Sequence, residues 1–271
     1  MSTTTSAHTS TAAGTTAGTD SQATAVRLTG IGKTFGTGGD AVTALQGVDL
    51  DVSAGEFVCL LGASGCGKST LLNLVAGLDE PTSGELVRPA GSPSFMFQES
   101  ALLPWLTAGR NVELPLQLSG LSRSARRARA AELLGLVRLD GLADKRPHEL
   151  SGGMRQRVAL ARALAAATGP DGTGGGVLLM DEPFAALDAI TRDVLQGELL
   201  RVWEATGTTV IFVTHDVREA VRLAQRVVLL SSRPGTVVSE WVVTDRTGLA
   251  GERLHDDITS RLRQVIASHA A

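Results

Sequence analysis

Apolar and polar side chains alternate along residues 25–35, 44–53 and 55–61, with glycine-rich breaks at 36–39 and 54–55. Alternation of this kind, closed by turns, predicts strands joined by hairpins. FVCLL (57–61) then runs into GASGCGKST and the apolar LLNLVAG, which reads as strand, glycine loop, helix. From about residue 99 to 165 leucine and alanine recur at helical spacing, which predicts a helical insert. Arg123, Arg126, Arg127 and Arg129 interrupt that pattern and read as a solvated face. LSGGMRQRV begins a helix oddly. Gly152 and Gly153 stand at its head, before the apolar Val158, Ala159, Leu160, Ala163 and Leu164, although glycine costs about 1 kcal/mol relative to alanine inside a helix.

TGPDGTGGG (168–176) is a flexible loop by composition. Beyond it, VLLM (177–180), TVIFV (209–213) and VVLL (227–230) do not alternate, as suits parallel strands buried on both faces. Amphipathic helices are expected between them, at about 189–205 and 216–225. The fold class is therefore α/β: a mostly parallel core sheet with right-handed crossovers, an N-terminal antiparallel β subdomain and the helical insert. The expected organisation is a Ser/Thr-rich tail over 1–24, one domain over 25–245 and a C-terminal helical tail over 246–271.

Composition narrows the function classes. With 43% apolar and 20% charged residues the chain reads as a soluble globular protein. A net charge of −3 argues against nucleic-acid binding by bulk electrostatics. Cys59 and Cys66 are the two cysteines, too few for a disulfide framework, and a reducing cytosol is expected. Thirteen of the first 24 residues are Ser or Thr, so that segment cannot offset its ordering entropy and is expected to be disordered. It has neither a basic nor an apolar block, so no signal peptide is expected. Lys33, Lys68 and Lys145 are the three lysines, which draws attention to the one inside the glycine loop.

Gly62 to Ser69 fits G-x-x-x-x-G-K-[ST] without a gap. Glycines such as Gly62, Gly65 and Gly67 let successive amides curl around phosphate oxygens, with Ser64, Cys66 and Thr70 in the same cradle. Lys68 is expected to reach the β- and γ-phosphates and the Ser69 hydroxyl to ligate Mg²⁺. Cys66 reads as a small residue that fits the loop; a reactive thiol gating the site is the alternative. VLLMDEP places Asp181 and Glu182 where a buried strand emerges, the end at which ligands sit in open α/β sheets. Asp181 suits a Mg²⁺ shell and Glu182 a general base. Thr214, His215 and Asp216 repeat that placement at the next strand, with His215 in reach of a γ-phosphate. Gln98, after the strand-like SFMF (94–97), can bind metal or water without adding charge. Ser151, Gly152 and Gly153 are then a second anion site at a helix N-terminus. Either the chain holds two nucleotides, or this turn serves the nucleotide of another copy in a symmetric dimer.

These ordered motifs, from residue 25 to about 240, resemble the ATP-binding subunit of an ABC transporter, a P-loop NTPase cassette. They are GASGCGKST, Gln98 in FMFQES, LSGGMRQRV, LLMDEP, the following Ala186-Leu187-Asp188, and His215 in VTHD. The resemblance implies a head-to-tail homodimer with two ATP molecules, and Mg²⁺, between glycine loop and LSGG. It implies that Phe35 stacks on adenine, Glu182 is the catalytic base, His215 the γ-phosphate switch and Asp188 the coupling between sites. It implies that Gln98 and the helical insert contact two transmembrane permease subunits at the cytoplasmic face, and that a separate binding protein selects the cargo. SALLPWLTAGRNVELPL, MDEPFAALDAITRD and LLSSRPG (229–235) look like the nitrate, sulfonate and taurine importer subfamily; importers of thiamine-precursor pyrimidines look similar. The tail and the long 168–176 loop depart from the family pattern. The chain ends about 35 residues after the RPG turn, so no substantial regulatory domain is expected. Soluble, non-transport ABC ATPases usually carry two cassettes, coiled-coil inserts or zinc cysteines, which this chain lacks.

Overall fold

In a computed structural model of the chain the described residues are 23–88, 92–168, 175–185, 187–246 and 248–269. Nearly all of the 1–24 tail and residues 169–174 of the glycine-rich loop lie outside them, as does Ala186.

Three strands form an antiparallel sheet in the order β2-β1-β4: β1 (Thr24–Phe35), β2 (Val42–Ser53) and β4 (Ser83–Val87). The β1–β2 hairpin is the one the alternation predicts. The second hairpin is not formed. β3 (Phe57–Leu61) joins the other sheet, in parallel register between β7 (Thr209–Thr214) and β8 (Arg226–Leu230). The reason lies in FVCLL itself: all five residues are buried, and a strand with no polar face cannot lie on a half-solvated hairpin.

The six-stranded sheet has the order β5-β6-β7-β3-β8-β9, with β5 (Ser94–Met96), β6 (Val177–Asp181) and β9 (Val237–Val242). Every pairing is parallel except β8–β9. Both faces are covered, and alternate residues of one strand enter different cores. Phe57, Cys59 and Leu61 pack with the helical side; Val58 and Leu60 pack with the antiparallel sheet and α1 (Lys68–Ala76). Met180 and Phe212 likewise face the first core, and Leu179 and Ile211 the second. β4 and β9 carry little periodic signal, because their residues are mostly exposed or half-buried.

The helical insert comprises α2 (Ala108–Leu118), α3 (Arg123–Leu136) and α4 (Gly152–Ala167). Its arginine face is only partly solvated: Arg126 reaches the buried carboxylate of Glu113 at 3.3 Å. The paired charge satisfies an acid that would otherwise be costly to bury. α5 (Ala189–Thr206) and α6 (Val217–Leu223) connect the later strands. α7 (Gly248–His269) lays Ile258 and Val265 into the first core.

Candidate active site

The glycine loop leaves the end of β3, a strand flanked on both sides by parallel neighbours, so its position is fixed by the centre of the sheet. Gly65 and Gly67 have φ of 75° and 102°, in the region L-residues avoid. At Gly67 space is short as well: an added Cβ would lie 2.6 Å from the Leu45 side chain and 3.0 Å from the Ala44 carbonyl. The loop is thereby pressed against β2. α1 begins with Gly67 as its N-cap and no side-chain cap, so the first amides of the helix are left to an external anion. Lys68 is 6% exposed, and its Nζ donates to the Gly62 and Ala63 carbonyls at 2.8 and 2.9 Å. Cys66 is buried, with Sγ 3.8 Å from that ammonium; it packs beneath the loop, the small-residue reading.

A cavity of about 480 Å³ opens over the loop, within the range of small-molecule sites. Ser64, Gly65, Gly67, Lys68, Ser69 and Thr70 form its floor; Asp181, Glu182 and Gln98 close one side. Phe35, Val42 and Ala44 line the antiparallel-sheet side, and Arg233 completes the wall. Phe35 is 44% exposed, with Lys33 Nζ 5.0 Å from its ring centroid. Thus Phe35, the loop and the strand-end groups, distant in sequence, share one cavity, with Gly62 and Cys66 supporting it from below.

Asp181 ends β6 and hydrogen-bonds the Ser69 side chain; burial raises its carboxyl pKa, the neighbouring Glu182 adds to the rise, and Ser69 and Lys68 oppose it. Glu182 has φ of 45°, a left-handed conformation that costs an L-residue roughly 1–2 kcal/mol. Its N–H is held by the Val213 carbonyl at 3.0 Å, and a carboxylate oxygen stands 3.2 Å from His215 Nδ1. The twist sends Glu182 into a small cleft shared with His215, while it still borders the larger cavity.

Sequence reasoning missed a buried carboxylate in the cleft that His215 lines. Glu219, in the first turn of α6, is buried. It accepts from Thr214 Oγ1 at 2.7 Å and Gln196 Nε2 at 3.0 Å, with Arg192 at 3.7 Å. Burial raises its pKa, against the Thr214 hydrogen bond. His215 precedes α6, so no helical periodicity links it to Glu219. Gln156 was also missed. Buried in α4, its Nε2 donates to the carbonyls of Gln98 and Pro183, each at 3.1 Å.

Ser151, Gly152, Gly153 and Asp188 do not reach the cavity. Ser151 caps α4, its Oγ accepting from Met154 N at 3.2 Å. Asp188 caps α5, accepting from Thr191 N at 2.9 Å, and those bonds hold its carboxyl below the ordinary range. A Cβ on Gly153 would lie 3.4 Å from Leu187, so the two caps form one neighbouring patch, and Ser151, Gly152 and Asp188 are exposed.

The profile of a family described as ABC transporter matches residues 45–185. A taurine import ATP-binding protein of Burkholderia pseudomallei (strain 1710b) is 50% identical over 206 residues, covering 73% of this chain and 76% of its own. A nitrate import ATP-binding protein of Synechocystis sp. is 43% identical over 225 residues, covering 80% and 82%. Among solved structures, a dimeric ATP-binding cassette in a post-hydrolysis state, bound to ADP and Pi, is similar at a TM-score of 0.71 and 37% identity. That match covers 81% of this chain and 99% of the other. A second dimeric structure, of a bacterial ABC transporter cassette, is similar at a TM-score of 0.72.

Proposed function

The chain belongs to the ABC transporter family as an ATP-binding, ATP-hydrolysing subunit, and we propose that it powers import of a small anion of the taurine, sulfonate or nitrate type. The observation that supports an active rather than a binding-only cassette is the Glu182–His215 contact of 3.2 Å at the rim of the glycine-loop cavity.

The residues suit a magnesium nucleotide. The left-handed glycines and the uncapped start of α1 form an amide cradle with Lys68 at its base. The oxygen donors Ser69, Gln98 and Asp181 suit a hard cation and would hold Mg²⁺, whose chemistry is to neutralise charge on the transferring phosphoryl group. Phe35 offers its exposed ring to the adenine. Glu182 takes the proton of the attacking water, and His215 orients that carboxylate and follows the γ-phosphate. Hydrolysis consumes water and ATP and yields ADP and phosphate.

Ser151, Gly152 and Gly153 are not among the residues that line this chain's own cavity. Their role falls to the γ-phosphate of a second copy in a head-to-tail homodimer, with Asp188 beside them coupling the two sites. Residues 25–245 act as one ATPase domain, extended by the 1–24 tail and the 246–271 helical tail. Among the described residues no helix is long and apolar enough to cross a membrane. The subunit is placed peripherally, at the cytoplasmic face beneath two permease subunits, with the helical insert and Gln98 loop toward them.

Uptake of labelled taurine, an alkanesulfonate and nitrate, compared in cells with and without the gene, tests the cargo. Loss of one uptake, restored by the gene, is expected; unchanged uptake of all three overturns the anion assignment and directs the test to pyrimidine precursors.

A further inference from the structure

One stretch remains outside the proposed mechanism: the SSRPG turn, residues 231–235, that follows β8. It is wedged between the glycine loop and the antiparallel sheet. Gly235 N donates to the Ala44 carbonyl at 2.8 Å, and Gln46 N donates to the Gly235 carbonyl at 3.0 Å. A Cβ at Gly235 would overlap the Cys66 carbonyl, so only glycine allows the turn to seat there. Ser231 fastens the turn from within, donating from Oγ to the Pro234 carbonyl at 2.8 Å and accepting from Thr236 N at 2.8 Å.

The anchored turn carries Arg233 to the glycine loop. Nε donates to the Gly65 carbonyl at 3.3 Å, and the guanidinium forms part of the cavity wall with Ser64, Gly65 and Lys68. A guanidinium fork is suited to phosphate oxygens, and one nitrogen bonded to the loop leaves the others as donors. We infer that Arg233 is a further nucleotide-binding residue, supplying a second cation beside Lys68 to the phosphates in the loop.

The inference rests on the nucleotide reading above, and calorimetric titration of the full chain in EDTA separates the two. ATP, ADP and adenosine are titrated into the parent protein, Arg233→Gln and Arg233→Lys, at concentrations where sedimentation shows single copies. Arg233→Gln is expected to weaken ATP and ADP about five- to tenfold, the strength of a partly solvated charge-assisted bond, leaving adenosine unchanged. Arg233→Lys recovers part of the loss, and added salt shrinks the difference between parent and Arg233→Gln. Equal ATP affinity in parent and Arg233→Gln overturns the inference. So does an equal loss for adenosine accompanied by a lowered apo melting temperature, which would make the arginine a structural clip. A defect seen only in ATP-driven association would assign it to the contact between copies instead. A parent that binds no ATP overturns the nucleotide reading itself.

Discussion

The chemistry proposed for Glu182 and the backbone strain it carries meet in one residue, and two sets of substitutions separate them. Glu182→Gln keeps the volume, the φ of 45° and an oxygen facing His215 Nδ1, but removes the proton acceptor. General-base catalysis is worth about 10²–10⁴ in rate, so steady-state hydrolysis is expected to fall at least about a hundredfold, near 3 kcal/mol in barrier. ATP affinity and apo melting temperature stay within error, and a stable ATP-bound dimer accumulates on size exclusion. Glu182→Ala and Glu182→Gly both delete the carboxylate and its half-exposed contact, and differ in the backbone. In a helix or strand, glycine is the less stable of such a pair by roughly 0.5–1 kcal/mol. Here the order should reverse by about 1 kcal/mol, since alanine retains the left-handed strain and glycine does not. For a domain of this size that is about 2–4 °C in Tm by calorimetry. Undiminished hydrolysis by Glu182→Gln would refute the general base; alanine melting above glycine would refute the strain.

Ser151→Arg places a long cation on the exposed α4 cap, outside the cavity. ATP binding to the single copy should stay within about twofold while ATP-driven dimerisation in the Glu182→Gln background is lost, at a cost in stability of about 1 kcal/mol for the missing cap. Normal hydrolysis by Ser151→Arg with the permease present would sink the second-copy assignment. Glu219 sets a pH dependence. Its folded pKa is raised by burial above the ordinary 4.5, so in that window the native state holds more protons than the unfolded chain. Its favourable contribution is therefore full below about 4.5 and is lost as pH rises through the folded value. Asp181 is raised for the same reason and acts with the same sign. Glu219→Gln, titrated by Tm against pH, should remove only the Glu219 part: its stability relative to the parent rises with pH through this window. A pH-independent difference would contradict the burial.

Much of the site was legible because its chemistry needs particular residues at fixed spacing. A phosphate cradle requires Gly65, Gly67 and Lys68 in order, and a carboxylate pair at the end of four apolar residues shows at Asp181 and Glu182. The parallel strands were legible because burial on both faces abolishes alternation. FVCLL obeys the same rule: its five uninterrupted apolar residues mark a strand buried on both faces, and only the adjacent Ala54-Gly55 turn suggests a hairpin. β4 and β9 left little trace, since sheet-edge strands with exposed side chains have no periodicity to read. Gln156 and Arg233 escaped because each contributes through a partner remote in sequence, and Glu219 because its partners Thr214 and Gln196 lie on a separate strand and helix. Gln156 is 58 residues from Gln98 and Arg233 is 168 from Gly65, and polar residue types alone do not announce such contacts.

Gln156 also bears on how the insert and the strand ends move together. Its one side-chain amide donates to the carbonyls of Gln98 and Pro183, and it sits five residues into the helix that Ser151 caps. A tilt of α4 therefore cannot leave both bonds intact while the Gln98 loop and the Glu182 turn stay where they are. Either both segments follow the helix, or a buried donor loses a partner, at about 1–3 kcal/mol. Two acceptors on one rigid amide make following the cheaper course. That ties the cap proposed to serve a second copy, the Gln98 loop and the Glu182 turn to a single helix.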